Sequence, residues 1–216
     1  MKITGAIFDM DGTLLDSMDY WGVAAGEYLN SIGIKFTDDT NKRFLEDGIR
    51  AWYDYCKENY GLNDDFEAAK AHIYEFMNQK YHTVVKVKEG ALEMLERLYN
   101  KGVKMCLATA TNRPTVEMIL DRLAMKKYFS SSFTCGEVGV GKREPLIYRL
   151  ALESLGTDKE TTYVFEDAHY ALKTAHEDGF RTVCIYDKNV YASKEEMKKL
   201  CDLYLDEDDK YNFDID

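Results

Sequence analysis

The sequence predicts an α/β protein: a parallel sheet with helices on both faces, plus an inserted helical cap domain. From about residue 85 onward, short apolar strands alternate with amphipathic helices, as is typical of a parallel sheet. Between the first strand and that point, the sequence has helical periodicity and many aromatic residues but no good strand. We therefore expect a core domain of residues 1–15 and 85–216 and a cap domain of residues 16–84.

Local signals place the strands and helices of the core and the first helix of the cap. The predicted strands are short apolar runs at residues 2–8, 103–108, 162–165, 181–186 and 203–205. The predicted helices have one apolar face and lie at residues 17–32, 89–101, 114–123, 144–155, 168–178 and 193–200. Glycine follows three of these helices, at Gly33, Gly102 and Gly156, where it suits a helix end. Pro114 suits a first helical turn. The acidic residues 206–216 are expected to form a solvated tail.

Composition and charge exclude some classes of function. The chain has 216 residues and a formal net charge of −11. Proteins that bind nucleic acid neutralise phosphates with Lys and Arg, so this balance argues against a nucleic-acid partner. It leaves open a small phosphorylated metabolite, because a few fixed cations or a metal ion can neutralise one phosphate. No exposed apolar stripe is obvious, so we expect a monomer or a weak homo-oligomer.

The cysteines and the hydropathy pattern indicate a cytoplasmic protein. The five cysteines are widely spaced and include no CxxC pair, which favours free thiols in a reducing compartment. The apolar stretch near the start is too short for a signal peptide and runs directly into Asp9. No run of 18 apolar residues occurs, so we expect no membrane span.

Acidic residues follow two of the predicted strands. Asp9 and Asp11 come after the first strand, and Glu166 and Asp167 come after the strand at residues 162–165. Ligands of parallel α/β sheets bind beyond the carboxyl ends of the strands, so these four groups are expected to converge. Close carboxylates repel one another, and a hard cation such as Mg²⁺ relieves that repulsion with oxygen ligands. We predict a Mg²⁺ site with room for a phosphate.

Complementary groups follow the other strands. Thr109 comes directly after the strand at residues 103–108, and its hydroxyl and the backbone amides around Ala110 could donate to phosphate oxygens. Lys142 precedes a predicted helix and could neutralise a phosphate. Gly12, in the turn after the first strand, belongs to the same predicted phosphate-binding set.

Each of these residues also has an ordinary structural interpretation. Asp-x-Asp-Gly occurs in calcium loops, but the residues after Gly12 do not fit that spacing. Thr109 alone could cap a helix, Lys142 alone could be a solvated lysine, and Glu166 with Asp167 could cap a helix. Their common position at successive strand ends favours a single site.

The segments that carry these residues resemble the motifs of the haloacid dehalogenase-like (HAD) superfamily, in the branch of phosphoglycolate phosphatases and β-phosphoglucomutases. In chain order they are FDMDGTLLDS at residues 8–17, LATAT at 107–111, GKREP at 141–145 and VFED at 164–167. The resemblance covers nearly the whole chain and implies a Rossmann-like core with a helical cap. It implies a Mg²⁺-dependent phosphatase, with a phosphosugar mutase as the alternative.

The resemblance also implies roles for individual residues. Asp9 would attack phosphorus and form an aspartyl-phosphate, and Asp11 would act as general acid and then general base. Thr109 and Lys142 would hold the transferring phosphoryl group. Asp9, the backbone carbonyl of Asp11, and Asp167 would hold Mg²⁺, with Glu166 assisting.

The chain departs from the family pattern in places. Arg143 follows Lys142 where Pro is usual, and Ala168 stands where Ser is usual. Met77 lies where mutases of the family place a cap lysine, which weakens the mutase interpretation. Arg50 and Lys80 are candidate substrate contacts in the cap, although each is more typical of a surface charge.

Two alternatives of a different class remain. One is a non-catalytic binding protein on this fold, and the other is an acidic interaction module.

Overall fold

A computed structural model describes residues 2–209 and 211–214 of the chain. The contacts divide the chain into two compact units. One unit contains the residues up to Asp16 and those from Lys86 onward, and the other is Ser17–Val85.

The first unit is built on a parallel sheet. Its strands and those of a separate antiparallel pair, β2 with β3, are, in chain order, β1 (Gly5–Phe8), β2 (Leu15–Asp16), β3 (Lys86–Val87), β4 (Lys104–Thr109), β5 (Ser131–Thr134), β6 (Thr162–Glu166), β7 (Arg181–Ile185) and β8 (Leu203–Leu205). Within the described residues, six strands form the sheet in the order β5-β4-β1-β6-β7-β8, and every neighbouring pair is parallel. The predicted α/β fold is confirmed.

Helices connect these strands and also form the second unit. The helices of the second unit are α1 (Met18–Ser31), α2 (Asp38–Asp47), α3 (Ile49–Tyr60) and α4 (Phe66–Thr83). Those of the first unit are α5 (Ala91–Asn100), α6 (Arg113–Arg122), α7 (Cys135–Val138), α8 (Leu146–Leu155), α9 (His169–Glu177) and α10 (Lys194–Lys198). Short 3₁₀ turns lie at Lys126–Tyr128, Lys159–Thr161 and Glu207–Asp209.

The register of the sheet brings three strand ends together. Phe8, the last residue of β1, pairs with Leu107 of β4 on one side and Phe165 of β6 on the other. The rings of Phe8 and Phe165 stack at 4.4 Å between centroids, and both side chains are fully buried. The residues that follow these positions therefore lie side by side at one edge of the sheet.

A layer of apolar side chains joins α8 to the centre of the sheet. Ile147 and Ala151 of α8 pack into one buried cluster with Ile7 of β1 and Ala108 of β4. Because Lys142 lies four residues before α8, this packing fixes the part of the chain that carries it.

Aromatic residues form much of the interior of the helical unit. Trp52 is fully buried, and its ring meets that of Phe44 edge-on at 5.3 Å. The interpretation of the aromatic residues as a packed core holds for these two. Tyr55, Phe66 and Phe76 are partly exposed at the helix surfaces.

Among the strands, β5 and the pair of β2 and β3 were missed from the sequence. The edge strand β5 has the sequence SSFT, and its partial burial leaves no apolar run to detect. The antiparallel pair of β2 and β3 has two residues in each strand, too few for a periodic signal.

The prediction of a solvated acidic tail was wrong for part of the segment. Tyr211 is buried, and Arg97 donates a 2.6 Å hydrogen bond to its carbonyl. Aromatic packing and backbone contacts override the acidic composition here. Residues 210, 215 and 216 of that predicted tail lie outside the described residues.

All five cysteines are free thiols, and Cys106 and Cys184 are buried as small apolar side chains. Among the described residues, no helix has the length and apolarity needed to cross a membrane.

Two neighbouring positions of α8 test how much the sheet depends on this helix. Ile147 is fully buried, whereas Leu146 is 41% exposed. We expect Ile147→Ala to lower the free energy of unfolding by about 2–5 kcal/mol, because it removes buried methyl groups and leaves a cavity. Leu146→Ala should change it by no more than about 0.5 kcal/mol. Urea titration of both variants measures the difference, and equal effects would contradict this packing.

Candidate active site

Three buried carboxylates gather at the ends of β1 and β6. Asp9 directly follows β1, Glu166 ends β6, and Asp167 follows it. One oxygen from each lies within 4.8 Å of the others, and all three side chains are buried. The Asp9 backbone N–H donates to the Phe165 carbonyl at 3.0 Å, which extends the pairing of the two strands into the cluster.

Lys142 is the cation of this cluster. Its side chain is buried, and its ammonium group contacts Asp9 Oδ1 and lies 2.6 Å from Glu166 Oε1. A buried ammonium group is costly unless it is paired, and these two carboxylates supply the partners.

Burial and charge shift the pKa values in this cluster. Burial raises the pKa of Asp9 from 3.8 to about 7, and the nearby charge of Lys142 only partly opposes this effect. Burial, followed by the charges of Asp9 and Glu166, raises the pKa of Asp167 well above its usual value. For Lys142, burial alone would lower the pKa, but the charges of Asp9 and Glu166 outweigh it and hold the pKa high.

The donor set fits a hard divalent cation. Asp9 and Glu166 share the Lys142 ammonium group, and Asp167 lies beside them, so two negative charges of the three carboxylates are not balanced by Lys142 when all of these groups are ionised. Mg²⁺ carries the charge that balances them and prefers oxygen ligands. The acidic cluster predicted from the strand ends is therefore compatible with the divalent metal that was predicted.

Asp11 and Thr109 are linked at the end of β4. The Thr111 hydroxyl donates to Asp11 Oδ2 at 2.7 Å, and the Thr111 backbone N–H donates to Thr109 Oγ1 at 3.1 Å. Thr109 is buried, whereas Asp11 is partly exposed and Ala110 is exposed. Asp11 is thus more accessible than Asp9.

Gly12 and the residue after it shape the turn beyond β1. Gly12 has φ of +81°, a conformation that side chains disfavour, which explains glycine there. The Thr13 hydroxyl then donates to Asp167 Oδ1 at 2.9 Å, so the turn after β1 contacts the carboxylate after β6.

Thr13, Thr111 and Tyr148 are site residues that the sequence analysis missed. Thr13 and Thr111 lie inside the quoted motifs, and their spacing to the acids could have indicated a role. Tyr148 is fully buried and donates to Glu166 Oε1 at 3.1 Å. It lies in the first turns of α8 and resembles any core aromatic residue, so no local signal marks it.

Arg143 and Ala168, the two departures from the family pattern, both interact with neighbouring groups. The guanidinium of Arg143 lies over the ring of Tyr170, 4.6 Å from its centroid. Ala168 precedes α9 without a capping side chain, and its backbone N–H donates to Glu166 Oε2 at 3.3 Å. The backbone thus orients the carboxylate where a hydroxyl is absent.

Comparison with known proteins identifies the family. Residues 6–185 match the model of the haloacid dehalogenase-like hydrolases. The chain is 30% identical to the "Phosphorylated carbohydrates phosphatase" of Thermotoga maritima over 177 residues, which are 82% of each protein. A Thermotoga maritima crystal structure described as a "putative beta-phosphoglucomutase" is 26% identical, with a TM-score of 0.76 over 97% of both chains. CbbY from Rhodobacter sphaeroides shares the fold, with a TM-score of 0.80 and 18% identity over 99% of this chain and 97% of that one.

The fold and the acidic site therefore define a hydrolase of the α/β class with an inserted helical unit. The chain belongs to the haloacid dehalogenase-like hydrolase family, which confirms the predicted family. Relatives named as phosphatases support the predicted enzyme class, a HAD-like phosphatase.

The raised pKa of Asp9 predicts a pH-dependent effect of Mg²⁺ on thermal stability. At pH values between the unfolded pKa of 3.8 and the folded pKa of about 7, Asp9 binds more protons in the folded state than in the unfolded state. Its contribution to stability is fully present below the unfolded pKa and is lost as the pH rises through the folded pKa. Since Mg²⁺ binds deprotonated carboxylates, we expect MgCl₂ to raise the Tm more at about pH 8 than at about pH 5.5.

Differential scanning calorimetry with and without MgCl₂ measures this effect. Asp9→Asn is the control, because it removes the titrating group and should reduce the difference between the two pH values. The same Mg²⁺-induced change in Tm at both pH values in the unsubstituted protein would contradict the prediction.

Proposed function

We propose that this enzyme is a Mg²⁺-dependent phosphatase that hydrolyses a small phosphorylated metabolite through an aspartyl-phosphate on Asp9. The observation that carries the proposal is the placement of buried Asp9 against Lys142 inside an acidic cluster. The printed names of relatives, among them a phosphatase of phosphorylated carbohydrates, support this substrate class.

In the first step an oxygen of the Asp9 carboxylate attacks phosphorus, and the bond from phosphorus to the leaving oxygen breaks. Asp11 donates a proton to that oxygen, so an alcohol departs and an acyl phosphate remains. In the second step Asp11 removes a proton from water, which attacks phosphorus and releases phosphate and free Asp9. Two such displacements replace one difficult displacement by water.

Positioning and charge neutralisation supply most of the rate enhancement in phosphoryl transfer. Lys142 would pair with the oxygens of the phosphoryl group, and the Thr109 hydroxyl would donate to them. Ala110 would offer its backbone N–H to them as well. The Gly12 N–H donates to the Leu15 carbonyl at 3.0 Å, so Gly12 would contribute by shaping the turn beside the phosphoryl group. Glu166, held by Lys142 and Tyr148, keeps the ammonium group in place.

Asp9, the backbone carbonyl of Asp11, and Asp167 would hold the Mg²⁺ ion, with Glu166 assisting. When bound, the ion would neutralise negative charge on the phosphoryl group and on the carboxylates. The Thr13 hydroxyl orients the Asp167 carboxylate through its 2.9 Å hydrogen bond.

We further propose that the helical unit acts as the cap that selects the substrate. Its candidate contacts remain Arg50 and Lys80, which are both engaged locally. Arg50 pairs with Asp54 at 3.0 Å, and Lys80 lies 4.7 Å from the centroid of the Phe76 ring.

A phosphosugar mutase is the second candidate, favoured by the similarity to the Thermotoga structure. Mutases of this kind need a second phosphate-binding cation in the cap. Met77, which lies where mutases of the family place a cap lysine, is buried inside the helical unit. This burial favours the phosphatase.

Substitution of the two aspartates after β1 tests the proposed chemistry. We expect Asp9→Asn to reduce phosphate release to background, because the amide cannot form the acyl phosphate. Asp11→Asn should lower kcat by about 10²–10⁴-fold, the usual contribution of general acid–base catalysis. Asp121→Asn is the matched control, since Asp121 is exposed on α6. Phosphate release from a panel of phosphorylated metabolites, with MgCl₂ or EDTA, measures all three.

The same panel of phosphorylated metabolites distinguishes the phosphatase from the mutase and from a binding role. Isomerisation of β-glucose 1-phosphate without phosphate release would favour the mutase. Unchanged activity of Asp9→Asn would contradict the covalent mechanism, and no turnover by folded protein on any compound would favour a binding role.

A further inference from the structure

Two carbonyl groups in the turn after Asp9 accept hydrogen bonds from side chains far away in the sequence. Within the turn, the N–H groups of Leu14 and Leu15 both donate to the Met10 carbonyl, at 2.9 Å each. The Gly12 carbonyl instead accepts from Lys88 Nζ, and the Thr13 carbonyl accepts from the Tyr211 hydroxyl. The turn is therefore held from outside as well as by its own backbone.

Lys88 uses the full donor capacity of its ammonium group. Besides Gly12, it donates to the Tyr186 carbonyl at 2.9 Å and pairs with Asp187 Oδ2 at 2.8 Å. An ammonium group has three N–H donors, so each has an acceptor. The side chains of Lys88 and Asp187 are 15% and 4% exposed, so this ion pair is largely shielded from water. The pair joins the residues after β3 to those after β7 and to the turn after β1.

Tyr211 reaches the same turn from the other end of the sequence. It is buried, and Arg97 holds the segment around it through hydrogen bonds to the carbonyls of Tyr211, at 2.6 Å, and Phe213, at 3.4 Å. Tyr211 has φ of +59°, an unfavourable conformation for a residue with a side chain. The burial of the ring and the hydrogen bond of the hydroxyl help to offset that cost.

The held residues lie next to, or donate to, the carboxylates of the proposed chemistry. Thr13, whose carbonyl binds Tyr211, donates its own hydroxyl to Asp167. Gly12, whose carbonyl binds Lys88, directly follows Asp11. A displacement of either carbonyl would move a group at the acidic cluster.

We propose that Lys88 and Tyr211 are positioning residues that hold the turn after β1 so that Asp11 and Thr13 face the metal and phosphoryl site. This inference rests on the proposed function, since it assigns the two residues to the same site. Neither residue touches the substrate. Loss of either one loosens the carboxylates that bind Mg²⁺ and the acid–base group.

Tyr211→Phe is the mildest test, because it removes one hydroxyl and keeps the buried ring. We expect about 10-fold weaker Mg²⁺ binding and about 10-fold lower kcat, the usual range for groups that orient metal ligands. The KM for p-nitrophenyl phosphate should change by less than about 2-fold. Isothermal titration with MgCl₂ measures the metal affinity without requiring turnover.

Phe213→Leu is the matched control from the same segment. The rings of Phe213 and Phe165 lie 6.0 Å apart between centroids, and the apolar Phe213 side chain has no donor for the carbonyls of the turn. We expect Phe213→Leu to lower the Tm while it leaves Mg²⁺ affinity and kcat unchanged. An equal loss of Mg²⁺ affinity in Phe213→Leu and Tyr211→Phe would reduce Tyr211 to a purely structural role and overturn the proposal for it.

A double variant separates positioning by Lys88 from stabilisation by its ion pair. Lys88→Met alone leaves the Asp187 carboxylate buried without its partner and is expected to destabilise the fold. Lys88→Met with Asp187→Asn removes that charge and should recover much of the lost Tm. We expect the double variant to keep the roughly 10-fold loss of kcat and Mg²⁺ affinity, because the donor to Gly12 is still missing. Recovery of kcat and Mg²⁺ affinity in the double variant would overturn the positioning role of Lys88.

The measurements also separate this inference from the proposed function. A protein that binds Mg²⁺ but hydrolyses no phosphate ester would contradict the phosphatase, and the Mg²⁺ affinities of the variants would still decide on the positioning residues. A protein that binds no Mg²⁺ would overturn both.

Discussion

The structure of the site depends on the enclosure of Asp9, Glu166 and Lys142 away from water. Charges without solvent must be paired, and here one ammonium group is shared by two carboxylates while a third remains nearby. The surrounding sheet, α8 and the turn after β1 all contribute to holding these groups at contact distance. The same enclosure raises the pKa of Asp9 to about 7 and favours a divalent cation.

Ordinary strand pairing in the parallel sheet brings these residues together without strained backbone. Pairing of β1 with both β4 and β6 brings three chain segments to one edge, although more than 150 residues separate Asp9 from Glu166 in the sequence. The functional side chains then need no unusual loops beyond the glycine turn at Gly12. The departures at Arg143 and Ala168 are absorbed locally, by an aromatic ring and by a backbone N–H.

Much of the fold and the acidic cluster could be predicted from the sequence, because apolar runs, strand ends and glycine turns are local signals. Thr13 and Tyr148 were missed because their roles depend on partners that are distant in the sequence. Asp167 lies 154 residues after Thr13, and Glu166 lies 18 residues after Tyr148, so no local pattern indicates either pair. The edge strand β5 was missed because its half-exposed residues need no apolar pattern. The segment at Tyr211 was misjudged because its acidic composition concealed two aromatic residues that pack on the core.

The hydrogen bond between Tyr211 and Thr13 joins positions 198 residues apart. During synthesis on the ribosome, the turn after β1 emerges early but cannot gain this bond until residue 211 has left the exit tunnel. A nascent chain with β1, β4 and β6 already paired would therefore still have an incompletely held turn. Any modification that displaces the segment around Tyr211 would act on the turn beside the acidic cluster rather than at a remote surface.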